Sequence, residues 1–591
     1  MADPIRIGNI AGLFGDRPAA AREMLDGPFD VITGDWLAEL TMLILARTRS
    51  RRPDGGYGRT FVAQMEDVMA DCLDRGIRVV VNAGGLDPTG CATAVSEAAA
   101  RQGLEPAVAA ITGDDLAPRL PDLIASGIPF DHFDTGEPLG GRAERILTAN
   151  AYLGAWGIAA ALEAGADIVV TGRVADAALV VGPAAWRHGW GRDDWNALAG
   201  AVVAGHVIEC GCQATGGNYS FFTEVPSLVH PGFPWVEVAD DGTAVVGKHD
   251  GTDGEVSAGT VISQLLYEIG GPRYHTPDVT ARFDTVEVAE VAPDRVRLSG
   301  AKGEPPPPDL KVAAGLAGGF RNSVRIGLTG LDIEAKADLV TRQIWESCPW
   351  DPDDYEEVHT TLVGAVEDDP PTNAAAISYL EISVRDSDEE KVGRRWSNTF
   401  VEVALGSIPG LFGTGPPGPA SPYALYWPST VPRGLVTQTV HLGSDEFEIA
   451  ETETGDGQPT AIEPAEIVHP LESETTRAPL GTIVGARSGD KGGNANLGVF
   501  VRNRDAYPWL ATYLTVERLR MLLPDLADLK IERFEFPRLN AINFVVHRLL
   551  DDGVSSTLRV DAQAKGLGEF LRARHADIPK SILGQAGAPA T

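Results

Sequence analysis

The sequence predicts an α/β protein: a large N-terminal core on a mostly parallel sheet, a strand-rich middle region, and a small C-terminal α+β domain. Three observations predict it. Over the first 180 residues, short β-branched runs alternate with stretches of helical spacing, the pattern of βαβ units. Runs such as Ile77–Asn82 (IRVVVN) are apolar almost throughout, as strands covered on both faces are. The last hundred residues read instead as paired strands interleaved with helices, which suits a two-layer sandwich. At 591 residues with 43% hydrophobic side chains, the chain can bury a sizeable core and is long enough for three to five structural units.

In order, Ile5–Ile10 reads as the first strand, followed by a turn from Gly12 to Gly15. Phe29–Thr33 is the second and ends in Gly34-Asp35. Phe61–Arg75 is helical, Ile77–Asn82 is a buried strand running into AGGLDPTG, and Cys91–Gln102 is the next helix. Val108–Thr112 ends in Gly113-Asp114, Ala155–Ala164 is helical, and Ile168–Thr171 passes at once into Gly172-Arg173. Four post-strand loops thus carry glycine with a polar group. In open α/β sheets this is the edge where ligands bind. No GxGxxG lies in a strand–turn–helix setting and no GxxxxGK[ST] occurs, so glycine-loop binding of NAD or ATP is not expected. From 200 to 330 the reading is strands at Trp235–Val238, Thr243–Gly247, Phe283–Val291 and Arg295–Leu298, with a helix over Thr260–Ile269. Pro305–Pro308 reads as a stiff linker, Leu328–Asp338 as strand and Leu339–Ser347 as helix. The Gly/Pro-rich stretch Pro409–Pro432 reads as a long loop. Glu451–Pro464 is the best linker candidate, which gives a core over 1–449, a linker over 450–476, a small domain over 477–577 and a tail over 578–591. In the small domain, Ile483–Ser488, Leu497–Arg502, Ile531–Phe536 and Ala541–His547 are strands, and Val516–Leu523 and Ala564–His575 are helices.

The formal charge of −34 argues against nucleic acid or anionic lipid as the main partner. It is unevenly spread. From Arg477 onward there are 16 basic and 12 acidic residues, leaving 33 and 71 before it. A mildly basic small domain beside a strongly acidic core makes electrostatic docking between them an expectation. Five scattered cysteines give no disulfide framework. No apolar run approaches a membrane span, and MADPIRIGNIAG lacks the layout of a secretion signal, so a cytoplasmic protein is expected.

Five segments carry candidate chemistry. GHVIECGCQATGGN is the densest: Cys210 or Cys212 could be a nucleophile with His206 or Glu209 as base, and Gln213, Gly216, Gly217 and Asn218 could contact a ligand. Its spacing does not suit zinc, and no metal site is expected. In TGRVADAAL, Arg173 and Asp176 stand three apart, suiting an anion clamp beside a base. In NAGGLDP, the loop Asn82–Pro88, with Gly84 and Gly85, offers N–H groups at a helix start. VGKHDGTDGEVSAGT holds Lys248, His249, Asp250 and Asp253, of which Lys248 could hold a phosphate or thioester oxygen and His249 or Asp250 could move protons. RSGDKGGNANLG, with Arg487, Asp490 and Lys491, could form an anion nest or a tight contact between domains. Each segment also has a purely structural reading, as a buried turn, an ion pair or a hairpin loop.

These segments, with RIGNIAGLFGDRP and TDGEVSAGTVISQLLYEIGGPRYHTPDV, together resemble the acyclic terpene utilisation (AtuA) family over about residues 5–450, with its ferredoxin-like domain at about 477–577. One loop departs from the pattern: Gly493 follows Lys491-Gly492 where the family loop carries Asp. The family takes its name from bacterial gene clusters that degrade citronellol and geraniol through acyl-CoA intermediates. The resemblance implies a place in branched or isoprenoid acyl-CoA catabolism; the leading expectation, resting on residue chemistry, is an enzyme with hydratase or lyase chemistry on a CoA thioester or related carboxylic acid. CoA would enter as part of the substrate, with no separate cofactor. In that reading Asp176, His206 or Glu209 is acid or base, and Arg173 and Lys491 bind a carboxylate or CoA phosphate. Two alternatives stay open: a non-catalytic assembly subunit beside an acyl-CoA carboxylase or dehydrogenase, and a cysteine-dependent acyl transferase or thioesterase. A homo-oligomer is expected, with a small-molecule substrate and neither nucleic acid nor membrane as partner.

Overall fold

The β-branched runs form the strands they predict. The computed structural model describes residues 3–52, 55–364, 369–450 and 474–583, so the linker read over 450–476 and the tail over 578–591 fall largely outside the described residues. Strands β1 (Ile5–Asn9), β2 (Val31–Gly34), β3 (Arg78–Val81), β4 (Val108–Thr112), β5 (Ile146–Ala151) and β6 (Ile168–Thr171) fall in the first 171 residues. Five of them pair in parallel in the order β1, β2, β3, β6, β4, with β6 inserted between β3 and β4. Antiparallel strands extend both edges. On the β1 side lie β7 (Pro234–Val238), β8 (Ala244–Lys248), Arg295–Ser299 and Glu287–Ala292; on the β4 side lie Thr439–Leu442 and Asp445–Glu448.

Helices cover both faces, which is why the central strands are apolar in unbroken runs. Ala20–Met24, Arg59–Arg75 and Pro88–Arg101 set Met24, Phe61, Met65, Val68, Cys72, Cys91 and Val95 against Ile32, Val79, Val81, Ile168 and Val170. Cys72 and Cys91 are thus core residues. Ala178–His188 and Trp195–Ile208, buried along most of their length, pack together as the other layer.

Two stretches differ from their reading. After Pro305–Pro308 the chain enters a 21-residue strand, Asp309–Thr329, and the Gly/Pro-rich stretch before 432 contains the strand Ser421–Pro432. Their glycines and prolines lower strand propensity, and pairing to neighbours overrides it. Consequently Leu328–Asp338 is mostly not strand, because the next helix already begins at Ile333.

The chain divides into two units, one of Met1–Gly315, Tyr426–Asp551 and Gln563–Thr591, the other of Leu316–Leu425 and Asp552–Ala562. In the second, Phe320–Thr329 pairs with Ile377–Asp386, flanked by Glu357–Val363 and Leu411–Gly413. Alternate residues Val324, Ile326 and Leu328 point into a core closed by Val340, Ile344, Trp396 and Phe400 from its helices.

Within the first unit, the small C-terminal domain is a four-stranded antiparallel sheet in the order Val484–Lys491, Asn494–Val501, Ala541–Val546, Ile531–Phe536, with helices Tyr507–Tyr513, Val516–Leu522 and Leu567–Ala573. Its docking on the core is charge-complementary, as the uneven charge predicts. Arg502 pairs with Glu224 and Arg538 with Glu287. Ser220 satisfies both the N–H and the C=O of Ala486 on the sheet's edge strand, at 3.0 and 2.7 Å. The glycines of RSGDKGGNANLG serve this contact. A Cβ on Gly498 would stand 2.5 Å from the Cβ of Leu266, so only glycine admits the core segment to the sheet face. Gly498→Ala is expected to lower stability by about 1–3 kcal/mol, seen as an earlier urea transition.

Candidate active site

The carboxyl ends of the five parallel strands form one polar edge. Asp35 follows β2, and its Oδ1 accepts from the Leu37 N–H at 3.0 Å and from Asn82 Nδ2, just after β3, at 2.5 Å. Asp114 follows β4, and its Oδ2 accepts from Asn150 Nδ2 and from the Arg173 N–H, both at 2.8 Å. Gly172 and Arg173 follow β6. Each loop's side chain therefore ties down its neighbour's backbone, which fixes the edge.

Arg173 is the hub. Its side chain is only 4% exposed and ion-pairs with Asp176 Oδ1 at 2.9 Å, in the turn before the helix Ala178–His188. It donates to Leu37 O and to the Tyr152 hydroxyl, both at 2.8 Å, and stacks over the Tyr152 ring. Tyr152 in turn donates to Glu39 Oε1 at 3.0 Å, as does Tyr426 at 3.2 Å, while Lys311 reaches the Tyr152 oxygen at 3.3 Å and lies 3.6 Å from Glu39. Burial alone would raise Glu39, but Lys311 and Arg173 outweigh it and hold that carboxyl at about 2. Burial acts against the Arg173 charge too, and Asp176, Tyr152 and Glu39 more than offset it.

Beside this hub sit His206 and Glu209, a helical turn apart, with Nδ1 and Oε1 3.2 Å apart. The His206 ring is 1% exposed and packs against Tyr274 and Phe283. Burial lowers its pKa to about 4, so it is neutral at physiological pH. Burial, reinforced by Asp176 and Glu268, pushes Glu209 well above the usual carboxylate range; Asp35 is raised in the same way by burial and Asp176. Among the described residues, none gives a hydrogen-bond partner to the buried His206 Nε2 or Glu209 Oε2.

The small domain supplies the rest. Lys491 Nζ donates to Glu268 O at 3.1 Å, and Lys565 lies 3.5 Å from Asp490 and 4.0 Å from the Glu268 carboxylate. Arg487 stacks on Tyr267 and donates to Gln213 Oε1. Glu268 and Lys311 keep 40% of their side-chain surface accessible, Lys565 37% and Glu39 31%. Yet burial is the largest single influence on Glu268, Lys491, Lys311 and Glu39: it raises Glu268 to about 7 and lowers Lys491 to about 8, and at Lys311 and Glu39 only the neighbouring opposite charges and hydrogen bonds overcome it. Groups that solvent touches but protein closely surrounds line a cleft, not an outer surface.

The structure brings Arg173, Asp176, His206, Glu209 and Cys210 together with Gln213, Arg487, Asp490 and Lys491, and it disperses the others. Asn82 supports the edge through Asp35, but its loop is not an anion site. The N–H groups of Gly85, Leu86 and Asp87 bond to Asn82, Gly56 and Gly84 carbonyls, and the Asp87 carboxylate caps Gly90 N at 2.9 Å. Gly84 packs against Thr171 O. Lys248 is spent on Thr252 O at 2.9 Å and Asp294 at 3.1 Å, and Asp250 pairs with Arg295 on the surface. Gly216 has φ +104° and Gly217 packs on Cys212 O, so both shape a turn, and Asn218 is exposed. Arg487, Asp490 and Lys491 form no backbone nest: they stand in a β-ladder opposite Gly498, Ala495 and Asn494, turned only by Gly492-Gly493. The tight-contact reading of that segment is the one its geometry matches.

The cysteines also separate. Cys212 bonds to Pro231 O at 3.4 Å, while Cys210 faces the carboxylates. Burial, with Glu209 and Glu268 adding to it, pushes the Cys210 thiol well above its ordinary value, the opposite of what a nucleophile needs. Cys210 is expected to resist iodoacetamide at neutral pH in the folded protein, and Cys210→Ser to keep activity; rapid labelling with inactivation would restore the thiol reading.

Sequence reasoning missed Glu39, Tyr152, Glu268, Lys311, Tyr426 and Lys565. Tyr267, Glu268 and Tyr274 did lie in the quoted TDGEVSAGTVISQLLYEIGGPRYH segment, which was the available signal. Among the described residues, no group of three His, Cys, Asp or Glu side chains is placed to hold a metal ion. No helix among them is long and apolar enough to cross a membrane.

The family model described as acyclic terpene utilisation family protein AtuA matches residues 5–442, and that of the AtuA ferredoxin-like domain matches residues 478–577. No curated protein and no solved structure matches the chain.

Proposed function

This chain belongs to the acyclic terpene utilisation family AtuA, and from that premise and the cleft we propose that it is a hydratase- or lyase-type enzyme acting on a branched or isoprenoid-like acyl-CoA, or a closely related carboxylic acid. The observation that carries this reading is the pair of buried atoms His206 Nε2 and Glu209 Oε2, unpartnered among the described residues, beside the Arg173–Lys311 cation pair. Buried polar atoms left unpaired in a folded protein mark a place for a ligand or ordered water.

The roles follow from protonation and access. Glu209, whose carboxyl burial raises well above its ordinary range, is the proton donor. Lys311 is the cation an incoming thioester or carboxylate oxygen reaches, with Arg173 behind it fixing Tyr152 and Asp176. Neutral His206 can bond the reacting oxygen without competing for its charge. A polarised thioester carbonyl acidifies the neighbouring carbon, which is what addition or loss of water at the next carbon requires.

The test is incubation with branched 2-enoyl-CoA and 3-hydroxyacyl-CoA thioesters, with products separated by chromatography. Interconversion of the two is expected. Absence of both turnover and calorimetric binding contradicts the reading.

A further inference from the structure

Loss of water needs an acceptor for the C2 proton as well as a donor to the leaving oxygen, and one residue is built for that task. Glu268 follows the helix Ala258–Leu265 with φ +56°, a left-handed conformation that a glutamate rarely adopts. Both of its backbone polar groups are held by the ferredoxin-like domain: its N–H donates to Asn496 Oδ1 at 2.8 Å and its C=O accepts from Lys491 at 3.1 Å. Asn496 and Asn543 are fully buried and lock each other at 2.6 Å. They also donate to Leu266 O at 2.8 Å and Gly270 O at 2.6 Å, on either side of Glu268. The strained residue is thus clamped before, at and after its own position, while its carboxylate stays open to the cleft.

We propose that Glu268 is the proton acceptor at C2 of the substrate, and that Asn496 and Asn543 are positioning residues through which the ferredoxin-like domain completes the site; this rests on the function proposed above. In dehydration the Glu268 carboxylate takes the C2 proton, and the C–H electron pair becomes the second bond between C2 and C3. The C3–O bond breaks with its pair remaining on oxygen, which takes the Glu209 proton and departs as water. Hydration reverses each transfer; between turnovers Glu268, 40% exposed, exchanges its proton directly with solvent, and the buried Glu209 does so through water that enters as product leaves. The groups facing Glu268 include Asp490 and Glu39, which raise its pKa, and Lys565 and Tyr267, which lower it; burial with the two carboxyls outweighs Lys565 and Tyr267 and leaves it at about 7, and Lys491, Arg487, His206 and Glu209 also lie within its field. Both states are therefore available at neutral pH.

The test compares wild type, Glu268→Gln, Glu268→Asp, Asn496→Ala and Asn543→Ser, each confirmed folded by circular dichroism. Glu268→Gln is expected to lower kcat about 100-fold or more with little change in KM, and Glu268→Asp to recover part of it. In Asn496→Ala and Asn543→Ser the limb of the kcat–pH profile near 7 should move toward the ordinary carboxylate range. In parallel, infrared titration of the carboxyl band lost in Glu268→Gln should show the same displacement without any substrate. Unchanged kcat in Glu268→Gln overturns the acceptor role. An unmoved carboxyl titration in both asparagine variants overturns the positioning role, whether or not the wild type turns over a thioester. A wild type that processes no thioester while its Glu268 titration responds as expected contradicts the function proposed above and leaves the clamp standing.

Discussion

Arg173→Met is expected to cost about 3–5 kcal/mol of stability, the range for removing one partner from a buried charge network. Glu39 is ionised and Asp176 is half-buried beside the guanidinium; Asp176 loses its principal compensating cation, and Glu39 loses the second of its two, after Lys311. The Tyr152 hydroxyl and Leu37 O lose their donor as well. Urea unfolding of Arg173→Met, Glu39→Gln and the double variant measures this. The double variant should be less destabilised than the sum of the singles, since neutralising Glu39 removes part of the uncompensated charge. A loss below about 1 kcal/mol in Arg173→Met would show that the network carries little.

Glu209→Gln is expected to lose about 10²–10⁴ in turnover while keeping or gaining stability. The sign follows from linkage. In the unfolded chain Glu209 releases its proton near pH 4.3, roughly the ordinary glutamate value; folded, it holds the proton to well above that range. Between those two values the native state binds the extra proton, so raising pH favours unfolding by about 1.4 kcal/mol per unit for each such carboxyl. Asp114, held at about 7, and Asp278, at about 6, act in the same direction for the same leading reason, burial. His206, lowered from 6.5 to about 4, acts the other way between those values, but the raised carboxyls of Asp35, Asp114, Glu209, Glu268 and Asp278 outnumber it, so wild-type stability should fall on balance as pH rises from about 4 toward neutrality. Glutamine cannot ionise, so Glu209→Gln should show a shallower fall. An equal slope in the variant would mean that Glu209 is ionised in the fold.

The parallel sheet and its polar edge were legible because β-branched runs such as IRVVVN and IVVT end directly in Asn82 and Gly172-Arg173. Two of the pairs that shape the site, Arg173–Asp176 and His206–Glu209, were legible because each is local, three residues apart. The cleft's other wall was not. Lys311 and Tyr426 come from strands whose glycines and prolines mimic loops, and they meet Glu39 only through tertiary pairing. Glu268 sat inside what read as one helix over Thr260–Ile269, whereas the helix ends at Leu265 and the left-handed turn beyond it exists because Asn496 and Lys491 hold it. Lys248 misled for the converse reason: a lysine among glycines suggests an anion site, and only the fold reveals that Asp294 has taken it.

Charge shows the same division. The acidic total belongs to the core, and the mildly basic small domain meets it through Arg502, Arg538 and Lys565. In doing so it places Lys491 and Lys565 at the cleft, so docking and site assembly use the same surface.

The central claim is acid–base chemistry at the carbon next to a thioester carbonyl, carried out in this cleft. Hydration of a branched 2-enoyl-CoA in D2O, with mass-spectrometric analysis of the product, tests it most directly. The wild type should yield 3-hydroxyacyl-CoA bearing one deuterium at C2, and Glu209→Gln should form it at least about 100-fold more slowly. A wild type that forms no deuterated product, or a Glu209→Gln variant that forms it at the wild-type rate, would contradict the account.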